Sequence, residues 1–445
     1  MSTFTLHLQD PATKKEHKLY YNNQTSELRN EAGEFVVAVE PQQFGGSVAA
    51  VSEQTPLGKS SMPKMIKIQM GLSCNYSCEY CSQRFVPHAD EMSVPLVDEF
   101  MTSLTSWFKP PEGGLGRKIE FWGGEPLVYA KTFKPLAERI RAAYPNIRMS
   151  VITNGSLLTK EWVDWLYDLG FSMAISHDGP GQAVRGPDPL TIPSKKEVWL
   201  YLYEKMGRVG RMSFNPMLNR LNTSRVAAAN FFRELTGNPD VSLGEGGMVD
   251  AYDEGGKSMS LRPEEYQKFA NQGFAEMHNS DILRNFDVLQ FRLSTWLDSW
   301  KKLRPARVLG QKCSMDSEDQ IAVDLRGNVL TCQNTSEVAF AGNGQSHKIG
   351  HMLDMENVKL NTATHWKHRA ECAGCPMLQG CMGSCMFLQG ELFEVSCNNA
   401  YFDHVAFFAE ALFIATGLIL TNIVGDIRPE RQDPFGLRPV ELIPA

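Results

Sequence analysis

Between residues 65 and 215, short apolar runs alternate with longer segments of helical period. The runs IKIQM (66–70), IEFW (119–122), RMSVIT (148–153), FSMAIS (171–176) and RMSFN (211–215) have the length of buried strands. VPLVDEFMTSLTSWF, AKTFKPLAERIRAAY, KEWVDWLYDLG and KKEVWLYLYEKMG lie between them and show the apolar spacing of amphipathic helices. This alternation predicts βα units around a parallel sheet. Five units are visible, and GGMVDAYD (246–253) reads as a sixth strand. The predicted class is therefore α/β, a partial (β/α)6 TIM-like barrel. Ligands of such sheets sit beyond the C-terminal strand ends, so the residues after each run are the candidates for chemistry.

The flanks have other textures. Residues 1–64 read as a small β-rich module, with strands TFTLHL, HKLYY and EFVVAVE separated by polar turns and followed by a Gly/Ser/Pro-rich linker. Residues 65–260 hold the barrel, and 261–310 read as a helical bridge. The stretch 311–400 is irregular and cysteine-rich, and 401–445 reads as a helix from about Tyr401 to Thr421 with a Pro-rich tail. The most apolar stretch is uncharged only from Ala411 to Gly425. A spanning helix needs about 20 apolar residues, so a buried core helix is expected, with no membrane contact.

A net charge of −7 and a pI near 5.9 argue against a general basic surface for nucleic acid. The first residues show no apolar signal-peptide core, so a cytoplasmic chain is expected. In that reducing setting ten cysteines point to metal rather than to disulfides.

Three of the ten follow the first barrel strand. GLSCNYSCEYCSQRF places Cys74, Cys78 and Cys81 in the pattern C-x3-C-x2-C. This matches neither paired zinc C-x2-C motifs nor the ferredoxin run. Three thiolates on one loop suit three irons of a cubane, leaving one iron for an outside ligand. A structural zinc or three buried thiols is the alternative.

The motif, with Tyr80 before its last cysteine, resembles the cluster loop of radical S-adenosylmethionine enzymes. The resemblance implies that the open iron is chelated by the amino and carboxylate groups of S-adenosylmethionine. One electron then cleaves this cofactor to methionine and a 5′-deoxyadenosyl radical, which takes a hydrogen atom from the substrate. The other strand ends resemble the family too. WGGEP would set Gly123 and Gly124 against the methionyl part and Glu125 on the cofactor ammonium. Thr153 and Asn154 in VITNG, then Ser176 and Asp178 in AISHDGP, would line the ribose and the polar face. TNG and DG are also ordinary turn dipeptides. His177 reads as structural. Arg185 is a candidate partner for the cofactor carboxylate, or a plain surface arginine.

The other seven cysteines run from Cys313 and Cys332 through CAGCPMLQGCMGSC to Cys397. They resemble the SPASM domain, an irregular iron–sulfur module that usually holds two auxiliary 4Fe–4S clusters, giving three in all. The family pattern implies that Cys372, Cys375, Cys381 and Cys397 complete the distal cluster. Cys313, Cys332 and Cys385 would hold the nearer one, a ligand short. Asp316, Glu318 or Asp319 would fill the gap, or that iron stays open. A zinc ribbon with spare thiols is the alternative. The two cluster regions, far apart in sequence, are expected to assemble separately.

The function these features imply is maturation of a ribosomally made peptide by crosslinking. The implied partners are a short precursor with a leader, held by residues 1–64, and a flavodoxin- or ferredoxin-type electron donor. Anaerobic sulfatase maturation, which makes formylglycine, is the alternative within the family. A non-catalytic iron–sulfur electron carrier or zinc-binding interaction protein is the alternative outside it.

Overall fold

The computed structural model describes residues 3–88, 96–245, 247–361 and 364–432. Its strands in chain order are β1 (Thr3–Gln9), β2 (Glu16–Asn22), β3 (Leu28–Asn30), β4 (Leu57–Gly58), β5 (Met65–Gln69), β6 (Lys118–Trp122) and β7 (Arg148–Thr153). There follow β8 (Phe171–Ile175), β9 (Met212–Phe214), β10 (Gln320–Asp324), β11 (Asn328–Leu330), β12 (Lys348–His351), β13 (Lys359–Leu360) and β14 (Ile419–Val424).

All five apolar runs of the barrel region become neighbouring parallel strands, in the order β5-β6-β7-β8-β9. Ile66, Ile68, Ile119, Phe121, Met149, Val151, Phe171 and Ile175 from these strands are buried. Near-continuous apolar runs are what a sheet covered on both faces requires. The helices Leu96–Trp107, Ala130–Ala143, Lys160–Asp168 and Pro193–Leu202 fall where the periodicity put them.

The sixth parallel strand is not the expected one. It is β10, from the cysteine-rich region, which pairs with β5 in parallel from Gln320↔Met65 to Asp324↔Gln69. The antiparallel strands β11 and β12 extend the sheet to eight. Within the segment read as the sixth strand, Gly246 lies outside the described residues. Met248 forms only an isolated bridge to Leu218. Side chains of the C-terminal helix take the nearby backbone groups instead. Asn399 Nδ2 donates to the Val249 carbonyl at 2.8 Å, and the Ala251 N–H donates to Ser396 Oγ at 2.7 Å. Backbone groups satisfied this way have no need of a ladder.

Two further expectations are corrected. EFVVAVE forms no strand: Phe35 only bridges to Arg29. The Glu40 and Gln42 amides donate to the carbonyls of Lys301 and Lys302, at 2.7 and 3.2 Å, at the end of the helix Asp287–Lys302. The final helix runs over Gly390–Thr416 rather than from Tyr401 to Thr421. Gly417 stops it in the left-handed conformation, at φ 73°. The β-branched residues beyond form β14, which pairs antiparallel with β1. The N-terminal sheet, β14-β1-β2-β3, is thus completed by the far end of the chain. No helix among the described residues is long and apolar enough to cross a membrane.

A buried ion network fastens the C-terminal helix to the barrel. Arg225 donates to Glu245 through Nε at 3.0 Å and Nη2 at 2.7 Å, and to Asp403 at 2.7 Å. Arg292 meets the other Asp403 oxygen at 2.6 Å. Removing one member leaves buried charge uncompensated. Arg225→Ala should therefore cost about 3–5 kcal/mol of stability, seen as a lower midpoint in urea unfolding.

Candidate active site at the strand ends

A cavity of about 520 Å³ lies over the C-terminal ends of β5 to β8, within the size range of small-molecule sites. Cys74, Cys78, Tyr80, Cys81, Gly123, Gly124, Glu125, Thr153, Asn154, Ser176 and Arg185 all line it. The residues singled out at four separate strand ends are therefore brought to one chamber, with the exception of Asp178.

Asp178 lies fully buried beneath the wall. It accepts from the Tyr80 hydroxyl and, at 3.0 Å, from the Met217 amide. Arg185 Nη1 donates to Tyr80 Oη at 2.7 Å and lies 3.4 Å from Asp178 Oδ1. Burial raises the Asp178 carboxyl above its ordinary range, with Arg185 and Tyr80 working the other way. Asp178 thus positions Tyr80 and Arg185 rather than facing the chamber. His177 is structural, as read. Its Nδ1 accepts the Gly179 amide at 3.0 Å, so Nε2 carries the proton and donates to Asp188 at 3.1 Å.

Glu125 is 1% exposed. Its Oε1 accepts from Thr153 Oγ1 at 2.6 Å and Leu127 N at 3.0 Å, and its Oε2 from Asn154 N at 2.7 Å. Burial lifts its carboxyl above the ordinary range, while these donors lower it. Asn154 Nδ2 carries the connection to Asn75 of the cysteine loop at 2.9 Å. Gly123 and Gly124 border the chamber, but their lack of a Cβ serves another contact. A Cβ on Gly123 would strike the Gly71 carbonyl, and one on Gly124 those of Leu72 and Ser73. The two loops pack backbone to backbone.

The chamber suits a zwitterionic ligand such as the methionyl end of S-adenosylmethionine. Glu125 offers negative charge on one part of the wall. On another, Arg185 has a buried Nε with no hydrogen-bond partner, and a buried unpaired donor is costly unless a ligand meets it.

All ten cysteines are free. Among the described residues no group of three or more His, Cys, Asp or Glu closes around a single ion. The thiols fall instead into three neighbourhoods, within which they act on one another electrostatically. Burial pushes Cys78 up to about 11, with Cys81 and Cys74 adding to the rise. Burial likewise takes Cys332 to about 11, with Cys313 adding, and raises Cys385, with Cys332 and Cys313 contributing. Cys372 is raised by burial, then by Cys381, Cys397 and Cys375.

A second cavity, of about 270 Å³, is lined by Cys313, Cys332, Cys381 and Cys385. Asp316 and Asp319 are not on its wall. Asp316 Oδ2 accepts from the Gln311 amide at 2.8 Å and from His365 Nε2 at 3.1 Å. Asp319 pairs with Lys64 at 2.5 Å, and the Glu318 carbonyl accepts from Ser60 N at 3.0 Å. The acids that do line the cavity are Asp250 and Asp403. Met248, Asp250, Tyr252 and Asn334 border both cavities. Asp250 and Tyr252 were missed as site residues, although they end the segment read as the sixth strand, where strand-end logic would have found them.

In space the two cysteine regions are joined by hydrogen bonds. Gln69, which ends β5, donates through Nε2 to the carbonyls of Gln333 and Thr335, at 2.8 and 2.6 Å, just past Cys332. Trp122 Nε1 donates to Asn334 Oδ1 at 3.0 Å.

Glu125→Ala strips three donors of their acceptor and removes the anionic wall. In the reconstituted protein, equilibrium dialysis should show S-adenosylmethionine affinity falling at least tenfold, about 1.4 kcal/mol. Arg185→Ala should weaken it in the same direction.

Residues 68–209 match the family model described as Radical SAM superfamily. The radical SAM cyclopropyl synthase TigE of Paramaledivibacter caminithermalis is 22% identical over 76% of this chain and 71% of its own length. The serine-type anaerobic sulfatase-maturating enzyme of Bacteroides thetaiotaomicron is 24% identical over 71% of this chain and 80% of its own. In fold the chain resembles the solved structure titled native anSMEcpe with bound AdoMet and Cp18Cys peptide. That match has a TM-score of 0.56 and 19% identity, and covers 79% of this chain and 99% of that one. The cysteine loop, the WGGEP turn and the two later strand ends all lie within the matched segment, and the chain carries a radical SAM domain.

Proposed function

We propose that this chain is a peptide maturase that installs a crosslink in a ribosomally made peptide. The observation that carries the reading is the shared wall of the two cavities. Crosslinking removes a hydrogen atom from the substrate, then an electron together with a proton, a hydrogen pair in all. A substrate side chain resting on Met248, Asp250, Tyr252 and Asn334 faces the Cys74–Cys81 loop on one side and the three-thiol neighbourhood on the other.

In this reading Cys74, Cys78 and Cys81 hold the first cluster. Bound there, S-adenosylmethionine supplies a carbon-centred radical that abstracts hydrogen. Glu125 accepts hydrogen bonds from the cofactor ammonium and Arg185 Nε donates to its carboxylate. Tyr80, within the cysteine loop, is fixed by Asp178, and Thr153, Asn154 and Ser176 supply polar contacts toward the ribose. Cys313, Cys332 and Cys385 hold a nearer auxiliary cluster, and Cys372, Cys375, Cys381 and Cys397 a distal one. A flavodoxin- or ferredoxin-type protein donates the electron, and the N-terminal sheet offers a platform for a leader.

Sulfatase maturation is the second reading, supported by the B. thetaiotaomicron relative, which matches over 71% of this chain. Co-expression separates the two. A candidate precursor peptide should come out lighter by a hydrogen pair, with fragmentation that stops at the linked residues. A sulfatase peptide should stay unmodified. A hydrazide-reactive aldehyde in the sulfatase peptide would reverse the order of the two readings.

Anaerobic reconstitution should give roughly twelve irons per chain. Replacing Cys74, Cys78 and Cys81 with alanine should remove about a third of them and abolish 5′-deoxyadenosine formation with dithionite as reductant. About four irons in the well-folded wild-type chain would rule out the auxiliary pair.

A further inference from the structure

Arg431 lies in the short turn Pro429–Arg431, beyond β14 and outside every cysteine motif. Its guanidinium is nonetheless buried, with the residue 3% exposed. Nη2 donates to Cys397 Sγ at 3.2 Å and to Asn398 Oδ1 at 2.6 Å, and Nε donates to the same Asn398 oxygen at 2.9 Å. The guanidinium also sits 4.4 Å from the Tyr401 ring centroid. None of these partners is a carboxylate. A buried arginine is expected to be paired with negative charge, as the buried Arg225 of the barrel is with Glu245 and Asp403.

The negative charge available to Arg431 is that of the thiolates around it. Cys397 and Cys375 are its electrostatic neighbours, and both belong to the four-thiol neighbourhood. Cys375 and Arg431 also line one surface cleft, together with Arg428. The nearer set of thiols has a different cation, Lys67, which acts electrostatically on Cys313 and Cys332.

We propose that Arg431 is the counter-charge and hydrogen-bond donor of the distal iron–sulfur cluster, so that the C-terminal turn sets that cluster's reduction potential. The inference rests on the auxiliary-cluster reading above. A reduced cluster is more negative than an oxidised one, so a fixed cation and a donor to its sulfur favour reduction. Arg431 acts through Cys397 and is a positioning and tuning residue, not a catalytic one.

The test uses full-length chain, anaerobically reconstituted, as wild type, Arg431→Gln and Arg431→Lys. All three are made on the background with Cys74, Cys78 and Cys81 replaced by alanine, so that only auxiliary clusters titrate. Iron content is measured first, then midpoint potentials by EPR-monitored redox titration. The expected result is full iron in each, one potential moved to more negative values in the Gln variant, recovery of part of that shift in the Lys variant, and the other potential unmoved. Loss of one cluster's iron from the Gln variant but not the Lys variant supports the same assignment. Two unmoved potentials at full iron overturn it, as does equal iron loss from both variants. If the background chain itself holds only one cluster, the auxiliary-cluster reading fails first, visibly in the iron count.

Discussion

The site depends on one buried carboxylate. Glu125 stands three residues past the end of β6, and its two oxygens collect a hydroxyl and an amide from the end of β7 and an amide from its own turn. Each bond is modest in isolation, but a buried charged acceptor makes each stronger than a neutral pair. The same turn presses two glycine backbones against residues 71–73, which lead into the cysteine loop. The loop is held from the other side by the Glu79 amide on the Val184 carbonyl at 3.0 Å and the Tyr76 hydroxyl on the Pro187 carbonyl at 2.6 Å. Glu125 therefore fixes the relative height of three strand ends, and the chamber's shape follows from it. A carboxylate placed there for a ligand's ammonium is already most of the way desolvated by its structural duties.

How much of this was legible follows from range. Strands β5 to β9 and the helices between them could be read because each announces itself within a short window: apolar runs for buried strands, three- and four-residue steps for helices. The residues after each run were found for the same reason, since strand ends are local landmarks. Reading failed where the deciding partner is distant. EFVVAVE is rich in strand formers, but the amides after it bond to the end of a helix some 260 residues later. VDAYD is claimed by Ser396 and Asn399. The sixth strand, β10, sits in a stretch whose cysteines drew all the attention, and nothing local says that it pairs with β5.

Individual site residues divide in the same way. Glu125, Thr153 and Asn154 could be named from motif alone, yet their hydrogen bonds to one another could not. Asp178 was read as lining the ligand but stands behind Tyr80 and Arg185, because a motif does not say whether a side chain reaches the ligand or backs one that does. Asp316 was drawn in by its nearness to Cys313 in sequence. In space its carboxylate is taken by His365 and the Gln311 amide, partners that no spacing rule connects.

The position of β10 changes what the C-terminal region is. An appended module would meet the barrel across an interface, with its own core. Here the chain after residue 310 supplies three strands to the barrel sheet, one to the N-terminal sheet, and a helix whose Asp403 completes the Arg225 network. β5 runs straight into the first cysteine loop and β11 ends just before Cys332, with β10 paired between them. Gln69 then ties the two loops by hydrogen bonds to the carbonyls of Gln333 and Thr335. Two cysteine loops placed on one sheet keep a fixed separation, because a sheet deforms less than a domain interface. In the proposed reading, a substrate resting on the shared wall sits between the loop that starts a radical and the loop whose cluster takes up its electron, with neither free to drift away.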